Sequence, residues 1–197
     1  MDYTDRPEEL EEYLKINLKE SRFRHSLGVQ KMARHLAAIH GADVDKASFA
    51  GRYHDIAKCF KTDRMNELIK KYSLPDYLTD NPALAHSKVG AMILKNEFNV
   101  CDTDILNSVS SHTTGRDGMS LLEEIVYVSD AIEENRSYEE APALRKQAET
   151  DLDAACLFIM DYTIDKVTRE GRDPGSDTLK SREFIYRRIK ERTTDDN

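Results

Sequence analysis

Residues 51–60 read GRYHDIAKCF, which places a histidine and an aspartate side by side within a run of small and apolar residues. Such runs are typical of helices packed inside a protein, where an imidazole next to a carboxylate is rarely buried without a partner. The surrounding pattern predicts one helix over residues 43–59, which would carry both His54 and Asp55. The pair therefore indicates a polar site inside a helical core, and its partners must come from elsewhere in the chain.

Helical periodicity continues on both sides of this stretch. Apolar positions recur mainly at three and four residues, and eight glycines and five prolines are few for 197 residues. Ser120 and Glu123 match a capping box, so the β-branched run EIVYV at 124–128 is predicted to be helical. We predict a single all-α domain over residues 1–197, a bundle of about eight to ten helices. The predicted ranges are 7–20, 24–40, 43–59, 62–72, 82–98, 103–112, 120–134, 142–148 and 151–170, with a last helix after a loop at 171–177.

Composition and charge exclude several classes of protein. The chain has 29 basic and 37 acidic side chains, a net charge of -8, which disfavours nucleic-acid binding because phosphates require a basic surface. No run of 18 apolar residues predicts a membrane span, and the acidic start does not resemble a signal peptide, so we expect a cytoplasmic protein. The three cysteines are far apart and predict reduced thiols. Nothing in the sequence demands an oligomer, although it is compatible with a homodimer.

The histidines of this chain answer the question of partners. Four of the six fall at roughly even intervals, and two aspartates accompany them; the set is His25, His54, Asp55, His86, His112 and Asp130. Imidazole and carboxylate are the ligand types that iron, manganese, cobalt and zinc prefer. These residues therefore predict a divalent metal centre, in which the carboxylate of Asp55 is able to bridge two ions. His35 and His40 match no position of this pattern and are interpreted as structural or exposed.

The order of His25, His54-Asp55 and Asp130 resembles the H…HD…D signature of the HD-domain metal-dependent phosphohydrolases. Longer blocks narrow the resemblance to the YqeK-type branch, the symmetrical dinucleoside tetraphosphatases. The blocks are RFRHSLGV (22–29), AGRYHDIAK (50–58), ALAHSKVGA (83–91), SSHTTGR (110–116) and VSDAIEENR (128–136).

The resemblance implies an HD-domain helical bundle that hydrolyses diadenosine tetraphosphate to two ADP. It implies metal ligands at His25, His54, Asp55 and Asp130, and it implies iron, whereas the ligand set by itself equally admits manganese or cobalt. Either one or two ions would bind. His86 and His112 either ligate a second ion that shares Asp55 or hold phosphate oxygens. The predicted catalytic residues are Asp55, Lys58, His86 and His112.

Basic and polar residues around the ligands are predicted to bind the polyphosphate. Lys58 lies one turn after Asp55, and Arg22 and Arg136 match basic positions of the family, where the planar guanidinium suits phosphate. The metal-site core would span about residues 22–136, and the C-terminal part, about 142–192, would supply a nucleotide-contacting loop. Together with His86 and His112, the predicted substrate-binding residues are Arg22, Lys58, Thr113, Arg136, Asp173, Pro174, Gly175, Ser176, Asp177 and Thr178.

Two departures from the family pattern and two other functions stay open at this point. The chain has Arg52-Tyr53 where the family has apolar residues, and Glu134 where it has proline. One alternative is a related nucleotide phosphohydrolase that acts on a nucleoside monophosphate or a guanosine alarmone. The other is a non-hydrolytic sensor that binds metal and nucleotide. No aromatic residue is selected for base stacking, since nothing supports Tyr127 or Phe184 over the others.

Overall fold

The computed structural model describes residues 3–195, and the described chain folds into ten α-helices and one short 3-10 helix, with no strand among the described residues. The all-α prediction and the predicted number of helices are therefore confirmed. The helices are α1 (Pro7–Asn17), α2 (Glu20–His40), α3 (Val44–Tyr53), α4 (Thr62–Lys71), the 3-10 helix (Asp76–Leu78), α5 (Pro82–Glu97), α6 (Thr103–Ser111), α7 (Leu121–Ile132), α8 (Ala141–Thr150), α9 (Leu152–Arg169) and α10 (Ser176–Asp195).

The prediction that one helix continues through residues 54–59 is wrong. Helix α3 ends at Tyr53, and the chain then tightens into turns in which Ile56 donates to Tyr53 and Lys58 donates to Asp55. The imidazole of His54 bonds the backbone carbonyl of Gly51 at 2.9 Å, at the very end of the helix. Neighbouring side chains of a regular helix point about 100° apart. In the turns after α3, the side chains of His54 and Asp55 instead approach one point.

The first two helices also differ from their predicted bounds. Helix α1 ends at Asn17 instead of residue 20, and α2 begins at Glu20 instead of residue 24. Arg22 and His25 consequently lie on the same helix, three residues apart, and share a face.

Helix α7 lies at the centre of the fold and contacts α2, α3, α6, α8 and α9. Nine of its twelve residues are buried, including all of residues 124–128, so the helical interpretation of EIVYV is confirmed. Its first turn has the predicted capping box between Ser120 and Glu123. The fully buried carboxylate of Glu123 also accepts bonds from Ser111 at 2.9 Å and from Arg116 at 2.6 Å. This network fixes the loop between α6 and α7.

The two departures from the family pattern have different consequences in the fold. Arg52 is buried, pairs with Glu11 of α1 at 2.5 Å and lies over the ring of Phe23 at 4.4 Å. Glu134 is exposed and pairs with Lys31 at 2.6 Å. The first therefore docks α1 onto the bundle, whereas the second is a surface ion pair. None of the described helices combines the length and the hydrophobicity that a membrane span requires.

Candidate metal centre

Six side chains from five places in the fold converge on one buried point. Helix α2 supplies one histidine, the turn after α3 supplies the His-Asp pair, α5 supplies one histidine, the end of α6 supplies another, and α7 supplies an aspartate. Ligand atoms of these residues lie within 4.8 Å of one another in three overlapping groups of three. The structure thus brings together every predicted ligand: His25, His54, Asp55, His86, His112 and Asp130.

The carboxylate of Asp55 lies between two pairs of histidines. Its Oδ2 atom lies 3.5 Å from Nε2 of His54 and 4.0 Å from Nε2 of His25. Its Oδ1 atom lies 3.2 Å from Nε2 of His86 and 3.4 Å from Nε2 of His112. Each oxygen atom therefore faces its own pair of imidazoles, which is the arrangement expected of a carboxylate that bridges two cations.

Hydrogen bonds to the Nδ1 atoms of the four imidazole rings determine that the Nε2 atoms face the centre. A carbonyl or carboxylate oxygen accepts a bond at every Nδ1 atom, so this atom carries the ring proton and Nε2 keeps its lone pair. Such outer hydrogen bonds are typical of histidines that bind metal. The acceptors are Glu133 for His25 at 3.1 Å, Gly51 for His54 at 2.9 Å, Pro82 for His86 at 3.3 Å and Val109 for His112 at 2.8 Å.

The donor atoms fit a divalent metal ion. Nε2 of His25, Nε2 of His54 and Oδ1 of Asp55 are buried and have no hydrogen-bond partner. The Nε2 atoms of His86 and His112 lie 3.1 Å apart, and the ammonium group of Lys58, 3.0 Å from Nε2 of His86, places a positive charge beside these two lone pairs. A buried polar atom without a partner costs about 1–3 kcal/mol, and bound divalent metal would satisfy the unpartnered atoms of His25, His54 and Asp55.

Charge states at the centre follow from burial and from the close carboxylates. Burial lowers the pKa of His112 to about 4, so this imidazole is neutral, the form that binds metal. Burial is the largest single influence on Asp55 and opposes its ionisation, but His54, His112 and His86 together outweigh burial and hold the pKa of this carboxyl well below its usual range. Burial acts to lower the pKa of His54, but Asp55, Asp130 and the carbonyl of Gly51 together outweigh burial and raise it.

Asp130 forms the more open side of the centre. Its Oδ1 atom lies 2.9 Å from Nε2 of His25 and 3.8 Å from Nε2 of His54, and its side chain is 24% exposed. Arg136 holds the same residue by two bonds, to Oδ1 at 2.8 Å and to the backbone carbonyl at 2.9 Å.

Cations and a hydroxyl surround the ligands of the centre. Arg22 donates to Oδ2 of Asp55 at 3.0 Å. Lys58 lies 3.0 Å from Nε2 of His86 and 3.7 Å from Oδ1 of Asp55, and the hydroxyl of Thr113 lies 3.2 Å from Nε2 of His86. All predicted phosphate-binding residues of the core therefore border the centre, whereas His35 and His40 lie outside it, the former on Glu149 and the latter on the carbonyl of Ala148.

The predicted nucleotide loop lines a cavity of about 420 Å³, which we call the loop cavity. Five residues of the predicted loop, Asp173–Asp177, form one wall, and the 3-10 helix, the start of α5 and Thr114 form the other. The loop is shorter than predicted, because α10 begins at Ser176, and Thr178 is buried on that helix and does not line the cavity.

Sequence reasoning missed two residues of this region. Glu133 is buried, orients His25 and is held by the backbone and side-chain amide groups of Asn135, both at 2.8 Å. Lys88 lines the loop cavity, and burial lowers its pKa. Both lie within the quoted blocks 128–136 and 83–91, yet nothing in their spacing separates them from surface charges.

Comparisons with known proteins agree with this geometry. The sequence model of the family described as HD domain matches residues 22–164. A symmetrical bis(5'-nucleosyl)-tetraphosphatase of Bacillus subtilis is 39% identical to this chain, and the alignment covers 84% of this chain and 90% of the relative. The enzyme of the same name from Halalkalibacterium halodurans is 38% identical, and the alignment covers 84% of this chain and 89% of the relative. A crystal structure from Clostridium acetobutylicum, described as a predicted HD superfamily hydrolase involved in NAD metabolism, superposes with a TM-score of 0.88 at 37% identity, over 92% of this chain and 97% of that one.

Proposed function

Because the chain belongs to the HD domain family, we propose that it is a metal-dependent hydrolase that cleaves dinucleoside tetraphosphates symmetrically, with diadenosine tetraphosphate giving two ADP. The observation that carries the proposal is the Asp55 carboxylate between two pairs of buried imidazoles, inside a ring of cations. Relatives named as symmetrical tetraphosphatases, at 38–39% identity over most of the chain, support the choice of substrate.

We propose that two divalent ions, preferably iron, with manganese and cobalt as alternatives, share the carboxylate of Asp55. His25, His54 and Asp130 would complete one site, and His86 and His112 would complete the other. When bound, such ions lower the pKa of a coordinated water and withdraw charge from phosphoryl oxygens.

The protein's own groups position the polyphosphate and stabilise its charge. Lys58 and Thr113 lie beside His86, so they would donate to non-bridging oxygens of the phosphoryl group that is attacked. Arg22 and Arg136 border the opposite side of the centre, and each planar guanidinium can hold a phosphate by two bonds.

The loop cavity would bind one nucleoside with its adjoining phosphate. Its volume of about 420 Å³ lies within the usual range of small-molecule sites. Lys88 supplies a cation at its wall. We propose that residues of about 22–136 form the metal-site core and that residues of about 142–192 supply further contacts to the nucleotide. The three cysteines are free thiols, which suits the reducing cytoplasm that we propose as the location.

The test is an anaerobic incubation of the protein with diadenosine tetraphosphate and ferrous or manganous ion. Products are resolved by ion-exchange chromatography, and ADP is expected as the sole product. His54→Ala should abolish turnover, whereas the matched control His35→Ala, at an exposed histidine outside the centre, should leave it unchanged. AMP with ATP would contradict symmetrical cleavage. Tight nucleotide binding without turnover under either metal would favour a sensor instead.

A further inference from the structure

A second cavity, of about 360 Å³, lies against the Asp130 side of the metal centre. The segment between α7 and α8 and one face of α9 line it. Ala131 and Arg136 belong to its wall, and the former follows Asp130 in the chain while the latter is bonded to it. We call this the aromatic cavity. The loop cavity, by contrast, borders the centre through Thr114 and the helix that carries His86.

Aromatic rings give this cavity its character. Tyr138 and Tyr162 have nearly parallel rings, at 21° and 6.2 Å between centroids, and the hydroxyl of Tyr138 is fixed on the carbonyl of Ala131 at 3.0 Å. Phe158 and Tyr162 are 41% and 46% exposed, although large aromatic side chains are normally buried. An exposed group of rings beside a catalytic centre presents π faces on which a base can stack.

Cations accompany these rings, although the whole chain carries a net charge of -8. Phe158, Tyr162 and Lys166 follow one another at four-residue spacing and so share one face of α9. Arg136 lies at the end of the cavity next to the metal centre, and Arg172 also lines the wall. Ring faces with cations at the rim match a nucleoside phosphate, since the base requires a stacking surface and the phosphate requires positive charge.

We propose that the aromatic cavity binds the second purine nucleoside of the dinucleotide, with the polyphosphate running past Arg136 into the metal centre. This inference rests on the proposed function. A symmetrical dinucleotide carries two identical nucleosides, and the two cavities adjoin different parts of the centre. Arg136 of the aromatic cavity is bonded to Asp130, whereas the loop cavity is lined by α5, the helix that carries His86. Tyr138 and Tyr162 stack on the base, and Lys166 contacts phosphate.

Steady-state kinetics of the manganese-loaded protein test the stacking role. Tyr162→Ala should raise KM for diadenosine tetraphosphate between about fivefold and a hundredfold, the range that base stacking on an aromatic ring supports, and change kcat less than twofold. Inhibition by inorganic tripolyphosphate, which has no base, should be unaffected. Tyr162→Phe keeps the ring and should behave like the wild type, as should the control Tyr186→Ala on α10. An unchanged KM for the Tyr162→Ala variant, or an equal loss of tripolyphosphate inhibition, would overturn the proposal.

Photolabelling locates the base without relying on turnover. An 8-azidoadenosine analogue of diadenosine tetraphosphate is bound, irradiated and mapped by tryptic digestion. We expect label in the peptide of residues 147–166, which carries Tyr162, and in that of residues 72–88, which lines the loop cavity. Label confined to residues 72–88 would overturn this inference while leaving the proposed function intact. Absence of turnover in the wild type would instead count against the proposed function.

Discussion

Glu133 and Glu134 are adjacent carboxylates with opposite environments. Glu133 is buried and accepts a hydrogen bond from the Nδ1–H group of His25, whereas Glu134 is exposed and pairs with Lys31. The hydrogen bond from His25 leaves Nε2 of that ring facing Asp55 and Asp130. At the residue scale, the metal centre therefore depends on acceptors behind its ligands as well as on the ligands themselves.

Glu133→Gln should lower the affinity for Mn²⁺ by about 10- to 100-fold, the usual effect of losing such an outer partner. The amide is nearly isosteric, so the fold should remain, but it is a weaker acceptor for the ring proton. Equilibrium dialysis against Mn²⁺ measures the change, and Glu134→Gln serves as the matched control with unchanged affinity. Equal affinities for the two variants would contradict the role assigned to Glu133.

At the scale of elements, Gly28 sets how closely α2 approaches the segment after α7. A methyl group at this position would collide with Oε2 of Glu133. Gly28→Ala should therefore destabilise the fold by about 1–3 kcal/mol, as overpacked positions do, and also weaken metal binding through Glu133. Urea denaturation measures the first effect, and Mn²⁺ dialysis measures the second. Leu27→Ala, at an exposed position of the same helix, should change neither, and a stability loss without weaker metal binding would contradict the link.

The attachment of α1 to the bundle depends on Arg52, which stands where the family pattern has an apolar residue. Arg52 is 6% exposed, with Glu11 as its carboxylate partner, and the hydroxyl of Tyr53 contacts the same carboxylate at 3.4 Å. Glu11→Gln removes the charge that compensates a buried guanidinium, so we expect a loss of about 1–3 kcal/mol in the free energy of unfolding. Thermal or urea denaturation measures it. Glu12→Gln, on the exposed face of α1, is the control, and an equal effect of both changes would refute the buried pair.

At the scale of the whole molecule, Arg188 of α10 connects the C-terminal helix to the central helix. It donates to Glu124 of α7 at 2.6 Å and also pairs with Asp153 of α9. Glu124 is 1% exposed, and burial raises its pKa to about 7 although Arg188 acts in the opposite direction. The folded protein consequently holds a proton here that the unfolded chain releases at lower pH.

The raised pKa predicts how stability depends on pH. A carboxyl whose pKa rises on folding adds stability below its unfolded value, and this contribution is lost as the pH rises through the folded value of about 7. At about 1.4 kcal/mol per pKa unit, this group should cost the wild type about 3 kcal/mol between pH 4.5 and pH 8. Urea denaturation at pH 4.5 and pH 8 should show that the free energy of unfolding of the Glu124→Gln variant increases relative to that of the wild type as the pH rises. The exposed control Glu139→Gln should not, and a difference between Glu124→Gln and wild type that stays constant with pH would contradict the assignment.

Local periodicity and residue chemistry were enough to predict much of this protein. Apolar spacing identified the helices, because helical contacts repeat every three to four residues along the chain. The capping box at Ser120 located the start of α7 for the same local reason. The types and order of the ligands indicated a metal centre, because imidazole and carboxylate are the ligand types that iron, manganese, cobalt and zinc prefer. The quoted blocks narrowed the resemblance to one branch of the family.

Only the tertiary structure decided what depends on distant residues. The tautomer of His25 is set by Glu133, 108 positions away. The two carboxylate oxygens of Asp55 face different pairs of histidines, and this arrangement requires four helices to meet. Helix α3 ends at Tyr53, where the sequence predicted that it would continue. Glu11 of α1 lies opposite Arg52, 41 residues further along the chain. The sequence determined the chemistry available, because side-chain types and helical repeat are local, whereas packing across long separations decided which atoms face each other.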